Sequence, residues 1–431
     1  MNFFLFILVT ATLFVRPGEI IPMLRGWEFF FYLIVPCLVL SIPSVLGQLS
    51  KRSLQSQPIT VCVLGLMIAV VLSNALHLDI DTVAIHNWSL FLKNLIYYIL
   101  FISLISTSIR LRKFLFWLWF FSLLFIVLTL LKHLGLIELS MEETLNDNYG
   151  TLDGEQVVLE RMTGSGIFGD PNDMCVVIVI GFILSLYWME DRLFPVPWLL
   201  CAASSLTFGY ALLKTQSRGG FIALVAACGV LLLTRYGWKK AAMLGGAGLP
   251  LLLLAFKGRI TNISTQEATG HSRIQLWSDS FDLFRSSPLF GIGIQKIREY
   301  IGYVAHNSYM QAYAELGLFG GTLFTGAVFL ALWAFYRLGA ARGEIADPSL
   351  RRAQPFMMAI TAGFATLLMT ITQTYYMSTY MLLGLATAYL HTTNATNILP
   401  GFRVGFPLVK RLALFSMSFL VVFYIFVRLF K

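Results

Sequence analysis

Three arginines and one histidine in this 431-residue chain stand beside the starts of apolar runs. Arg161 lies eight residues before Gly169-Asp170-Pro171-Asn172. Arg218 is followed by Gly219-Gly220 at the head of another run, and Arg273 opens an amphipathic segment. His306 precedes Asn307-Ser308-Tyr309. These runs begin with helix-start chemistry: Asp170 is a good N-cap with Pro171 in the first helical position, and Asn307 a good N-cap for the run after it. Helix N-termini offer free N–H groups and a positive potential, so they attract phosphate. Arginine stays charged and clamps phosphate bidentately. Three arginines beside three helix starts suit a diphosphate. His306 is the one acid–base candidate nearby. As a neutral imidazole it could take a proton from an attacking hydroxyl, or only hydrogen-bond a phosphate or sugar.

Plainer roles stand beside these. A lone arginine at a membrane end is usually an interfacial anchor, and Asp170 and Asn172 could only shape a helix start. Tyr309 and Tyr313, one helical turn apart, could stack on sugar rings or simply pack. His77, Asp79, Asp81 and His86 form a rival group whose Asp-x-Asp oxygens could hold Mg or Mn. That pattern is short and common, so no metal and no cofactor is assigned. Cys37, Cys62, Cys175, Cys201 and Cys228 sit in or at the edge of apolar runs without metal-type spacing, and read as small apolar packers.

The elements that must position these residues are membrane helices. The chain is 57% hydrophobic and 12% charged, about half the charge of a soluble domain. Runs long enough to cross a bilayer occur at 27–47, 59–77, 88–108, 113–136, 169–189, 195–214, 219–235, 240–256, 316–337, 354–372 and 410–429, with shorter ones at 2–15 and 376–391. The expected class is an all-α polytopic membrane protein of about 12–13 spans. The first run lacks a basic n-region and a small-residue cleavage site, and reads as a retained helix.

With the N-terminus inside, about half of the 31 Lys/Arg fall in alternate loops, such as Arg110, Arg112 and Lys113, or Arg342, Arg351 and Arg352. The net charge of +9 thus reads as an orienting signal and not as nucleic-acid binding. The expected layout is N-terminal helices over 1–136, an outer loop over 137–168, central helices over 169–256, a large outer loop over 257–315 and C-terminal helices over 316–431. Ile274, Trp277, Phe281 and Phe284 form one helical stripe in the large loop, lying on the membrane surface or on the bundle. The spans are nearly free of ionisable groups in their middles, apart from Lys93 near one start, which moves the chemistry to the outer face.

Several motifs carry a family resemblance. Gly291-Ile-Gly-Ile, Ala305-His306-Asn307-Ser308-Tyr309 and Ala314-Glu315-Leu316-Gly317-Leu318-Phe319-Gly320 occur in order. Ser217-Arg218-Gly219-Gly220, Arg161 before Gly166-Ile167-Phe168-Gly169-Asp170-Pro171-Asn172, and Arg273 to Trp277 before Pro288 complete the set. Together they resemble the O-antigen ligase-related family over roughly residues 160 to 335. The resemblance implies a bacterial inner-membrane glycosyltransferase with a metal-independent site facing the periplasm. Its donor would be an undecaprenyl-diphosphate-linked glycan, and its acceptor another glycan or a lipid A core. Arg161, Arg218 and Arg273 would bind the diphosphate, and His306 would activate the acceptor or orient the leaving group. A non-enzymatic flippase or exporter of lipid-linked glycans is the alternative, because the same arginines would serve it.

Overall fold

The computed structural model describes every residue except 25, 77–81, 138–144, 153–154, 192–195 and 256–267. Thirteen helices longer than ten residues follow one another: α1 (Asn2–Phe14), α2 (Phe29–Gln48), α3 (Pro58–Leu76), α4 (Thr82–Leu104), α5 (Ser108–His133), α6 (Pro171–Glu190), α7 (Trp198–Thr215), α8 (Arg218–Ala255), α9 (Ala268–Ser286), α10 (Ser308–Ala340), α11 (Pro348–Leu367), α12 (Met377–Thr392) and α13 (Phe406–Phe430). Among the described residues, seven of these are long and apolar enough to cross a membrane. The architecture is that of an all-α polytopic membrane protein. One departure is an antiparallel hairpin in the 137–168 loop, β1 (Leu145–Leu152) with β2 (Glu155–Arg161). Asp153-Gly154, a strong hairpin-turn dipeptide, stands between the strands in the sequence.

The chain forms two compact units. The first comprises residues 1–39, 109–262 and 358–367. Here α6 and α7 approach closely, because a side chain at Gly181 would sit 2.2 Å from the Phe208 ring. Two polar pairs tie this unit: Trp119 Nε1 donates to Ser185 Oγ at 3.0 Å, and Arg112 meets the buried Asp191 at 2.7 Å. Within α8 the stretches before and after Gly237 are two helices that meet at a kink, where Gly237 has φ 73° and ψ 171°. A single glycine makes this junction because only glycine adopts that backbone cheaply.

The second unit comprises residues 40–108, 263–357 and 368–431. Gly65 admits Leu323, and Tyr98 Oη joins Thr60 to Thr387 with two 2.9 Å hydrogen bonds. The amphipathic stripe of α9 packs on α10 and α13: Phe281, Met310, Tyr313, Leu420 and Phe423 are buried together, with Ile274, Trp277 and Phe284 against them. Of the two placements open to this helix, the structure has it on the bundle. Burying each such aromatic is worth about 1.5–3 kcal/mol.

Candidate functional site

In the first unit the motif residues meet through side-chain hydrogen bonds. Strand β2 ends at Arg161, whose exposure is 6%. The next residue, Met162, donates its N–H to Lys214 O at the end of α7. Arg161 Nε donates to Thr215 O at 3.0 Å, and its Nη2 to Asn172 Oδ1 at 3.3 Å. Asp170 caps α6 by accepting the Asn172 N–H at 2.7 Å, and the same carboxylate oxygen accepts the Asn172 side-chain amide at 2.9 Å. Ser217 Oγ donates to Asn172 Oδ1 at 2.7 Å and accepts the Gly220 N–H at 3.1 Å. Asn172 therefore uses its amide nitrogen on Asp170 and its oxygen on Arg161 and Ser217. The strand end, the start of α6 and the start of α8 are locked together, with Arg218 as the first residue of α8. Gly220 is required here by proximity: a Cβ would lie 2.2 Å from Cys175 Sγ.

A further arginine reaches this turn. The Arg16 guanidinium lies so close over Gly166 that a Cβ there would be 1.8 Å from Arg16 Cζ. Sequence reading had not singled it out. The available signal was that Arg16 falls in a loop where the orienting rule places no cation.

In the second unit His306 sits in the turn before α10 with φ 46°, a left-handed conformation uncommon for residues other than glycine. Asn307 is fully buried and caps α10, its Oδ1 accepting the N–H groups of Tyr309 and Met310 at 3.0 and 3.1 Å. Trp277 Nε1 donates to Ala305 O at 3.0 Å, so α9 is tied to the residue before His306. Arg273 lies one turn earlier on α9, on the Trp277 face. Ser308 holds the turn from behind: its N–H donates to Leu368 O and its hydroxyl to Ile371 O.

Tyr309 and Tyr313 are both buried and pack tilted or stacked against Phe419. The Tyr313 hydroxyl is bound to Thr325 and Ser416. Rings enclosed in this way pack the core. His77, Asp79 and Asp81 of the Asp-x-Asp group lie outside the described residues.

One group was absent from the sequence reading. α10 begins at Ser308, so Glu315 falls inside it, with 1% exposure. Asn307, Gln311 and Glu315 stand at i, i+4 and i+8 and share a buried face. Glu315 Oε1 accepts the Ile297 N–H at 3.3 Å, and Tyr375 and Gln311 lie beside the carboxyl. Glu315 Oε2, Gln311 Oε1 and Tyr375 Oη make no hydrogen bond among the described residues. Just beyond, α10 breaks at Gly317 with φ 65° and ψ −164°. The break leaves backbone groups that the loop before α10 fills. Leu318 and Phe319 N–H donate to Pro288 and Leu289 O, and Ile292 and Gly293 N–H donate to Ala314 and Glu315 O. A Cβ on Gly317 or Gly291 would strike the opposing backbone at 2.4 or 2.2 Å. The helix break and the loop are thus complementary surfaces. The spacing of Asn307, Gln311 and Glu315 was visible in the sequence, but only the helix start at Ser308 makes it one face.

Residues 202–325 match the O-antigen ligase family. The matched stretch runs from α7 into α10 and contains Arg218, Arg273, His306 and Asn307, while Arg161, Asp170 and Asn172 precede it. The resemblance carried by the motifs is shown for this stretch, and no curated protein matches the chain. At the level of the O-antigen ligase family, the match supports a membrane glycosyltransferase of the ligase or polymerase kind, with lipid-linked glycans as substrates. With seven helices long and apolar enough to cross a bilayer among the described residues, the chain is a multi-pass membrane protein.

Proposed function

We propose that the protein moves a glycan from an undecaprenyl-diphosphate carrier to an acceptor hydroxyl at the periplasmic face of the inner membrane. The observation that carries the reading is the hydrogen-bonded junction of Arg161, Asn172 and Ser217, which brings a buried arginine to the starts of α6 and α8 beside Arg218. Two helix N-termini and two arginines offer the fixed positive field a diphosphate needs. Arg273, in the segment 257–315 that we read as the catalytic loop, is the third arginine that the sequence motifs assign to the diphosphate.

His306 takes the proton of the acceptor hydroxyl as its oxygen bonds to the anomeric carbon. The bond from that carbon to the diphosphate breaks, and the electron pair leaves with the undecaprenyl diphosphate. The arginines bind the negative charge that grows on this leaving group. No metal ion enters these steps. An acid–base side chain contributes about 10²–10⁴-fold, so His306→Ala should lose at least about 100-fold. Arg218→Ala should fall comparably, and Arg218→Lys should recover only part, because a lysine cannot make the bidentate contact.

The test is reconstitution of purified protein with lipid-linked donor and acceptor, following product by gel mobility. Normal product from both alanine variants at equal protein level overturns the assignment. Donor movement across the bilayer without product selects the flippase or exporter. In cells lacking the protein, long chains accumulating on the carrier mark a ligase, and single repeat units mark a polymerase.

A further inference from the structure

At the far end of α9 from Arg273, a second cationic group is built against α13. Arg285 Nη2 and Arg428 Nε both donate to the Tyr424 hydroxyl oxygen, at 2.8 and 3.0 Å. Both guanidinium carbons also lie over the Tyr424 ring, 5.1 and 5.4 Å from its centroid. A phenol oxygen that accepts from two guanidinium groups has its own O–H left to give. Asp282 pairs with Arg285 at 3.2 Å, but both side chains are largely exposed. Among the described residues no carboxylate pairs with Arg428. Two like charges held on one neutral oxygen call for an anion with several acceptor oxygens.

The surroundings say what kind of anion. α13 is long and apolar enough to cross a membrane, and 22% of its apolar window is buried within the protein. Leu414, Met417 and Val421 are exposed, at 59%, 52% and 52%, and stand at i, i+3 and i+7. Arg428 is seven residues after Val421, so this apolar face leads straight to its guanidinium. An acyl chain lying along the face would end with its headgroup between the two arginines, where basic side chains at a membrane surface attract anionic lipid.

We propose that Arg285, Arg428 and Tyr424 hold the phosphate of an anionic membrane lipid whose acyl chain runs along Leu414, Met417 and Val421. The site is separate from the residues assigned to glycan transfer and does not depend on that reading. Its test uses the full chain in phosphatidylcholine bilayers with trace spin-labelled phosphatidic acid, or spin-labelled phosphatidylcholine in parallel. Each arginine at a membrane surface is worth about fivefold in anionic-lipid affinity, so the immobilised fraction should strongly favour phosphatidic acid. Arg285→Gln and Arg428→Gln should each reduce that preference about fivefold. Arg403→Gln, at an exposed arginine elsewhere in the same unit, should leave it unchanged. Equal preference in Arg428→Gln and the parent protein overturns the site, as does an equal loss in Arg403→Gln. Saturable binding of inorganic pyrophosphate to detergent-solubilised protein, abolished by Arg428→Gln, would replace the lipid with a soluble phosphate. Glycan transfer is not read in any arm, so its failure cannot be mistaken for failure of this site.

Discussion

At Asn172 a single amide serves three chain segments, and its two ends are chemically distinct. The nitrogen end needs the Asp170 carboxylate, and the oxygen end needs Arg161 and Ser217. Asn172→Asp would set a second carboxylate against Asp170 at about the 2.9 Å spacing of the present bond. Like charges that close are strongly unfavourable. The variant should lower the melting temperature in detergent and weaken transfer, whereas Asn172→Ser, with a neutral oxygen, should melt closer to the parent. Glu315 is a different case, because its carboxyl touches the backbone of the loop that leads to His306. Glu315→Ala leaves the buried Ile297 N–H unsatisfied, at a cost of about 1–3 kcal/mol. Glu315→Gln keeps an acceptor oxygen there. If the residue only positions the loop, Gln should restore kcat with the parent pH profile, and Ala should lose it. A Gln variant with a changed pH profile would show that the acidic proton itself matters.

Among the elements, the break in α10 is the informative one. A helix interrupted inside an apolar protein exposes backbone groups that must find partners. Here residues 288–293 supply them, and Gly317 and Gly291 let the two backbones meet. Gly317→Ala would force a side chain into a glycine-only conformation, at about 1–3 kcal/mol from the backbone alone, with the 2.4 Å approach to Leu289 added. Low membrane levels or a clearly lowered melting temperature are expected. A fully stable Gly317→Ala protein would mean that the loop does not dock on the break. Because that loop runs on into the turn of His306, a partly stable variant should also show reduced transfer. The hairpin is local in origin: Asp153-Gly154, which separates its strands in the sequence, is a strong turn dipeptide.

For the molecule as a whole, topology is the matter to test. The alternation of basic loops predicts an N-terminus inside and the loops 137–168 and 257–315 outside. The contact of Lys431 Nζ with Ser278 Oγ at 2.7 Å places the end of α13 on the same side as α9. Single cysteines at the exposed positions 275 and 431, in a chain whose native cysteines are replaced, should both react with an impermeant maleimide added to intact spheroplasts. Labelling of one but not the other would contradict the contact, and labelling of neither until the membrane is opened would reverse the orientation.

Composition and apolar run length, read without any structure, determine that this is a helical membrane protein and roughly where its helices lie, because the bilayer imposes a length and an apolar character on each span. Capping chemistry is equally local: Asp170 and Asn307 cap helices because their side chains reach N–H groups two or three residues away. The candidate arginines and His306 were legible for the same reason, as polar residues at the edges of apolar runs. Contacts between segments distant in the chain belonged to the tertiary structure alone. Asn172 finds Ser217 across 45 residues, Tyr313 finds Ser416 across 103, and the loop at 288–293 fills the break beside Gly317. Such pairings depend on which helix faces meet, and hydrophobicity that is nearly uniform around a span does not encode a face.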